Sequence, residues 1–125
     1  MTGFPQDRLV FSPDMVDLSR SPLAGDLYGE TFVLGAFNPA LTRLDNGNLL
    51  MMVRVAEAVH NGKGGPIRSI RRDADRYVLD VWPREFADTR DPRTFTVRTE
   101  PWRVMALTSL SWLLPVELAP DGLSV

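Results

Sequence analysis

The sequence contains no cysteine among its 125 residues. This absence excludes a disulfide scaffold, a thiolate zinc site and a cysteine nucleophile, and it suits a reducing compartment. Long apolar runs are absent too, because the longest one, residues 105–119, contains threonine, serine, proline and glutamate and is too short for a membrane span. No basic stretch followed by a long apolar stretch marks a signal peptide. The sequence therefore predicts a soluble, cytoplasmic protein without membrane contact.

An excess of positive charge is also missing. Lysine and arginine number 14 against 16 aspartate and glutamate residues, which leaves a net charge of -2. The densest basic run, residues 67–72, is followed by Asp73, Asp75 and Asp80, whose negative charges offset its positive charge. Nucleic acid binding needs a basic stripe, so the sequence predicts no nucleic acid partner.

The pattern of turns and apolar residues predicts a single β-rich unit spanning residues 1–125. Nine glycines and ten prolines are spread along the chain and mark frequent turns, and no segment keeps a helical period over three turns. Strands spaced by about 8–12 residues predict an all-β sandwich, barrel or propeller. Residues 1–26 form an irregular lead-in with a short strand. The predicted strands are Arg8–Phe11, Glu30–Leu34, Ala40–Leu44, Leu49–Ala56, Ile67–Arg71, Tyr77–Trp82, Thr94–Arg98 and Leu107–Leu114.

The clearest local pattern is a hairpin across residues 45–48, whose Asn-Gly pair is a strong hairpin signal. In its second strand, period-two alternation leaves both faces apolar apart from Arg54. A strand covered on both sides is expected, and Arg54 then needs a partner. One interpretation pairs Arg54 with Glu57, Glu30 or another acid, and the other turns it toward a bound ligand.

Asn38 is the second unusual residue of the hairpin, because it precedes Pro39. A residue before proline is expected in the β or polyproline region. Its side chain then either closes an Asx turn with the local backbone or faces the same cavity as Arg54. The tryptophans, Trp82, Trp102 and Trp112, fit core packing or stacking on sugar rings.

Metal and cofactor chemistry find little support. His60, the only histidine, lies beside the glycine-containing loop of residues 59–66, so neither a histidine metal site nor a Ser-His-Asp arrangement is predicted. The loop lacks a Walker A pattern and no helix is expected after it. It is predicted to be a flexible surface loop, and no metal or cofactor is expected.

Two segments carry a family resemblance. FNPALTRLDNGNLLMMVRVAEA, residues 37–58, and LTSLSWLLPVELAPDG, residues 107–122, resemble the β-mannoside phosphorylases and mannosidases of glycoside hydrolase family 130. In that family an Asn-Pro-Ala segment, a hairpin and an Arg-Val pair come first. A Ser-Leu-Ser segment running into an Asp-Gly turn comes later, as it does here.

The resemblance implies a five-bladed β-propeller, of which the eight predicted strands would form about two blades. It also implies inverting cleavage of β-mannosides, with inorganic phosphate as co-substrate in a phosphorylase and water in a hydrolase. Asn38 and Arg54 match positions that line the mannosyl pocket, and Ser109 and Ser111 lie near it by the same resemblance.

The resemblance stops short of the catalytic acid. Asp91-Pro92-Arg93 looks like part of the family's Glu-Asp-Pro-Arg segment, but it precedes the Ser-Leu-Ser block and follows Arg90 instead of glutamate. Asp91 is predicted to lie in a simple turn, and no catalytic residue is assigned. We therefore expect the 125-residue chain to be the N-terminal portion of such an enzyme and to be inactive when it is alone. The alternatives are a non-catalytic sugar-binding or interaction module, or an inactive fragment, and open sheet edges favour a homo-oligomer.

Overall fold

The computed structural model describes residues 9–88, 94–98 and 103–125, most of them in β-strands. Within these ranges helical structure is confined to a one-turn helix, α1 (Ala24–Leu27), and three 3₁₀ turns. The expectation of an all-β chain agrees with this content. The strands are β1 (Thr31–Arg43), β2 (Leu49–Val59), β3 (Ile67–Asp73), β4 (Arg76–Trp82), β5 (Ala87–Asp88), β6 (Thr94–Arg98), β7 (Arg103–Leu107) and β8 (Ser109–Leu118).

The strands form two antiparallel sheets. One has the order β1-β2-β8 and the other the order β4-β3-β7-β6-β5. In the five-stranded sheet, β3 and β7 pair only at Ile70 and Leu107. That sheet is therefore a β3-β4 hairpin joined narrowly to the β5-β6-β7 strands.

The predicted hairpin between β1 and β2 is confirmed. Gly47 has a φ of 90° in the turn, a conformation that glycine adopts without a steric penalty. The Asn46 side chain accepts a hydrogen bond from the Asn48 backbone N–H at 3.0 Å. Arg43 donates to the Gly47 carbonyl at 2.8 Å, so local hydrogen bonds close the turn on both sides.

Apolar side chains gather in three clusters. The first lies on one face of the three-stranded sheet and also contacts residues 10, 11 and 16 of the lead-in. The second joins α1 to both sheets, and the third lies within the five-stranded sheet. Their buried members are Met51, Val53, Val55, Leu114, Val116 and Leu118; then Leu23, Leu27, Val59 and Ile70; then Ile67, Phe95, Val97 and Ala106.

Several element boundaries differ from the prediction. Two expected strands, Glu30–Leu34 and Ala40–Leu44, are one strand, β1, because bulges near residues 34 and 38–39 absorb extra residues without ending the pairing. The expected strand at Leu107–Leu114 is split between the end of β7 and the start of β8. Leu9–Phe11 is not a strand. Arg8, Asp91 and Trp102 lie outside the described residues.

None of the helices in the described ranges has the length and apolar character that crossing a bilayer requires.

Candidate functional site

The three-stranded sheet has a covered face, which carries the first apolar cluster, and an open face. We use the term open face for the surface formed by Phe32, Phe37, Arg54, Ser111 and Leu113, all of which are exposed. Phe37 pairs with Arg54 across the β1-β2 ladder, and Arg54 pairs with Leu113 across the β2-β8 ladder. Directly opposed residues share a face of the sheet, so these three side chains form one row across it.

Arg54 lies exposed on the open face, with its guanidinium carbon 5.0 Å from the centre of the Phe37 ring. Residues three apart in a strand point to opposite faces, which places Glu57 on the covered face. Glu30 is paired instead with Arg68, at 2.7 Å. Within the described ranges Arg54 has no carboxylate partner. The pairing of Arg54 with an acid was therefore wrong. The expected doubly covered strand is confirmed only over residues 55–59, where side chains of both faces are buried.

The two serines of the Ser-Leu-Ser segment lie on the same face as Arg54. Ser109 pairs with Ala58 and Ser111 pairs with Ala56, two residues from Arg54 on β2. Diagonal neighbours in an antiparallel ladder are about 7–8 Å apart. A ligand of the size of a single sugar ring can therefore contact Ser111 and Arg54 together.

Asn38 lies in the β1 bulge, next in the chain to Phe37. Its φ is 51°, so the expected β or polyproline conformation was wrong. Pro39 disfavours the right-handed helical region at the preceding residue, and asparagine is among the few non-glycine residues that tolerate the left-handed region. The Asx turn is not formed, because the Asn38 side chain has no hydrogen bond in the described structure. Asn38 is exposed and follows Phe37, the residue whose ring contacts Arg54.

A cavity of about 280 Å³ adjoins the bulge. Phe37 and Pro39 line one side of it, Met51 and Val53 line its floor, and residues 9–11 of the lead-in close it. Because Met51 and Val53 belong to the covered face, the cavity lies on the side of the sheet opposite Arg54.

Glu57 is the residue whose environment sequence reasoning missed. It is 1% exposed and accepts hydrogen bonds from Ser21 Oγ at 2.5 Å, Thr31 Oγ1 at 2.5 Å and Trp112 Nε1 at 3.0 Å. The alternation of β2 places this acid among the apolar residues of the covered face. An ionisable residue on the apolar face of a strand was the available signal, since buried polar groups need partners.

His60 and the glycine-containing loop, the other candidates from the sequence, make contacts within the fold. The His60 ring lies 4.9 Å from the Phe32 ring. In the loop predicted at residues 59–66, Val59 is buried as the last residue of β2 and residues 60–66 are exposed. Arg84 donates to the Gly62 and Gly65 carbonyls, each at 2.8 Å. Among the described residues, no three or more histidine, aspartate or glutamate side chains gather as a metal site would require.

The described tryptophans serve packing. Trp112 belongs to the edges of the first and second apolar clusters and donates to Glu57. Trp82 lies against the third cluster and donates to Ser69 Oγ at 2.8 Å. Both environments favour the core-packing interpretation over stacking on sugar rings.

Comparison with known proteins identified one informative likeness. No protein-family model and no curated protein sequence matches the chain. A solved structure does, that of β-1,2-mannobiose phosphorylase from Listeria innocua in complex with β-1,2-mannobiose, with a TM-score of 0.66 and 22% identity. The match covers 90% of this chain and 30% of the phosphorylase chain. At this identity the likeness shows a shared fold over nearly the whole of the present chain.

Proposed function

We propose that the chain is part of a glycoside hydrolase family 130 enzyme and supplies one wall of its mannosyl pocket. The fold match to a β-1,2-mannobiose phosphorylase over 90% of the chain carries the proposal. In it, the two antiparallel sheets are two neighbouring blades of a five-bladed propeller. The complete enzyme cleaves β-mannosides with inversion, and inorganic phosphate is the co-substrate if it is a phosphorylase.

The open face supports sugar binding. The Arg54 guanidinium carries five N–H donors, and in the described structure no carboxylate engages them. Ser111 adds a hydroxyl on one side of Arg54, and the Phe37 ring adds an apolar surface beside the guanidinium. Small-molecule sites combine apolar walls with a few well-placed polar groups. In the proposal Asn38 and Arg54 contact the mannosyl ring, and Ser109 and Ser111 lie at its rim.

Turnover needs groups that this face does not supply. Inverting cleavage requires a general acid beside the glycosidic oxygen. Glu57 is buried on the covered face, away from Arg54. Glu117 is on the Arg54 side, but it pairs with Leu50, four residues from Arg54 along β2. Its carboxylate accepts hydrogen bonds from Asn46 and Asn48. We therefore expect the 125-residue chain to bind mannosides without cleaving them.

The binding proposal is tested by titrating mannose and β-1,2-mannobiose against the chain, followed by calorimetry. Arg54→Ala should weaken binding at least about tenfold, because a hydrogen bond from a charged donor contributes about 1.5–3 kcal/mol. Asn38→Gly should weaken it about two- to tenfold, because a hydrogen bond from a neutral donor contributes about 0.5–1.5 kcal/mol. The matched control is Arg76→Ala, which changes an exposed arginine at the first position of β4. This variant should bind both sugars as the unmodified chain does. Equal binding by all four proteins, or binding by none, would refute the pocket assignment.

A second candidate is a non-catalytic sugar-binding module, favoured by the exposed Arg54-Phe37 pair. The gene separates the two candidates. An in-frame continuation that encodes a Glu-Asp-Pro-Arg segment would support the enzyme, and a stop codon directly after Val125 would support the module. Release of mannose 1-phosphate by the 125-residue chain would contradict both, because it would require an acid that neither candidate assigns.

A further inference from the structure

A second cavity, of about 250 Å³, lies on the covered side of the three-stranded sheet, where α1 and the start of β1 meet. Tyr28 and Gly29 are exposed and form its mouth, whereas Thr31 and Glu57 are buried and form its floor. Leu18 and Ala24 supply apolar walls. The cavity faces away from Arg54, so it is separate from the proposed mannosyl pocket.

The floor holds a buried carboxylate without a counter-charge. All three groups that donate to Glu57, on Ser21, Thr31 and Trp112, are neutral. In the described structure the arginines that form ion pairs are Arg68 and Arg71, and neither pairs with Glu57. The ionised form of a buried carboxyl group is costly without an opposite charge, so a cation in the cavity would stabilise that form.

The hydrogen bonds of Glu57 also leave room for one more donor. A carboxylate offers about four acceptor positions. Among the described residues, Oε1 accepts from Ser21 and Trp112, whereas Oε2 accepts from Thr31 alone. The free position belongs to a residue that lines the cavity.

We propose that this cavity binds a primary alkylammonium ion, whose NH₃⁺ group donates to Oε2 of Glu57. The alkyl chain packs against Leu18 and Ala24, and the Tyr28 ring lies at the mouth, where an aromatic face attracts a cation. The cavity is smaller than the roughly 300–1,000 Å³ of drug-sized sites, so the ligand has only a few heavy atoms. Charge distinguishes this ligand from a neutral sugar or alcohol.

The test compares n-butylammonium with n-butanol, which has a similar shape and no charge. Each is titrated at neutral pH against the ¹⁵N-labelled chain, and amide shifts of residues 28–31 are followed. Butylammonium should give saturable shifts there and bind at least tenfold more tightly than butanol. No saturable shift with butylammonium, or equal affinity for both compounds, would overturn the proposal.

Two variants locate the effect. Glu57→Gln removes the charge and should weaken butylammonium binding at least tenfold. Because this variant loses part of a buried network and can fail to fold, Tyr28→Ala provides a second measurement at an exposed position and should weaken binding about two- to fivefold. Phe86→Ala, which changes another exposed aromatic residue, should leave the affinity unchanged. Unchanged affinity in a folded Glu57→Gln chain, or in Tyr28→Ala, would contradict the proposed site.

Discussion

The two faces of β2 each carry an ionisable residue, and the two residues differ in burial and in hydrogen bonding. Arg54 on the open face is exposed and contacts one aromatic ring, Phe37. Glu57, three residues later on the covered face, is buried with three hydrogen-bond donors. Alternation along the strand places them on opposite faces, but the surrounding chain decides what each can do. In the described structure Glu57 ties segments together through three neutral donors and keeps one open acceptor position, whereas the Arg54 guanidinium is exposed on the open face.

The largest difference in the free energy of unfolding is expected between alanine variants of two adjacent leucines of β8. Leu114 is 6% exposed and Leu113 is 62% exposed. Leu114→Ala should lower the free energy of unfolding by about 2–5 kcal/mol, because it leaves a cavity in the first apolar cluster. Leu113→Ala, its matched control, should change it by less than about 0.5 kcal/mol. Urea unfolding measures both values, and similar losses would show that the open face is covered.

Glu57→Ala should follow in size. The substitution leaves the donors on Ser21, Thr31 and Trp112 without their acceptor, and we expect a loss of about 2–4 kcal/mol in the free energy of unfolding. Glu117→Ala, an exposed glutamate on the Arg54 side of β8, should lose less than about 0.5 kcal/mol. If the two variants unfold at the same urea concentration, Glu57 does not tie the lead-in to the sheet.

Substitutions at Asn38, in the β1 bulge beside the open face, should have an intermediate effect on the free energy of unfolding. Asn38→Ala places a Cβ-bearing residue without a local polar group at a φ of 51°, and the expected loss is about 1–2 kcal/mol. Asn38→Gly should stay within about 0.5 kcal/mol of the unmodified chain, because glycine adopts this conformation readily. Thermal melts of the two variants compare them directly. A more stable alanine variant would mean that the backbone is not left-handed there.

A smaller effect is expected for the Arg54-Phe37 contact. An exposed cation–π pair contributes about 0.5–1 kcal/mol. A double-mutant cycle with Arg54→Ala, Phe37→Leu and the double variant should return a coupling energy of that size. Additive single effects would show that the two side chains do not interact in solution.

The smallest effect concerns an exposed carboxylate. Hydrogen bonds from the Ser19 hydroxyl and then from its backbone N–H lower the pKa of Asp17 below its ordinary value of 3.8. The stabilisation is therefore present above that ordinary value and is lost as the pH falls through the lower, folded-state pKa. An NMR titration of Asp17 measures the midpoint. Ser19→Ala should move it upward, and an unmoved midpoint would mean that the hydroxyl has no influence.

Local features of the fold were predictable from the sequence. The Asn-Gly turn and the alternation of β2 depend on neighbours within a few residues, and both are seen. The open face was not predictable, because both faces of β2 are similarly apolar in composition. Which face is covered depends on the lead-in and β8, which are distant in the chain.

The environment of Glu57 escaped prediction for the same reason. Its donors Ser21 and Trp112 are 36 and 55 residues away, so no local pattern announces them. The backbone conformation of Asn38 was predicted only from the effect of the following proline. That effect disfavours the right-handed helical region, but it does not exclude the left-handed region that Asn38 adopts. The functional roles of Asn38, Arg54, Ser109 and Ser111 remain predictions for the titrations above.

The position of Trp112 offers an optical readout of folding. Its ring touches two apolar clusters, one within the three-stranded sheet and one that also includes Ile70 of the neighbouring sheet, and its N–H is bonded to a carboxylate. Indole fluorescence responds to such surroundings, so in a chain whose other tryptophans, Trp82 and Trp102, are replaced by phenylalanine, the emission of Trp112 reports separation of the two sheets. One spectroscopic signal can thus reveal whether the sheets unfold together or in sequence.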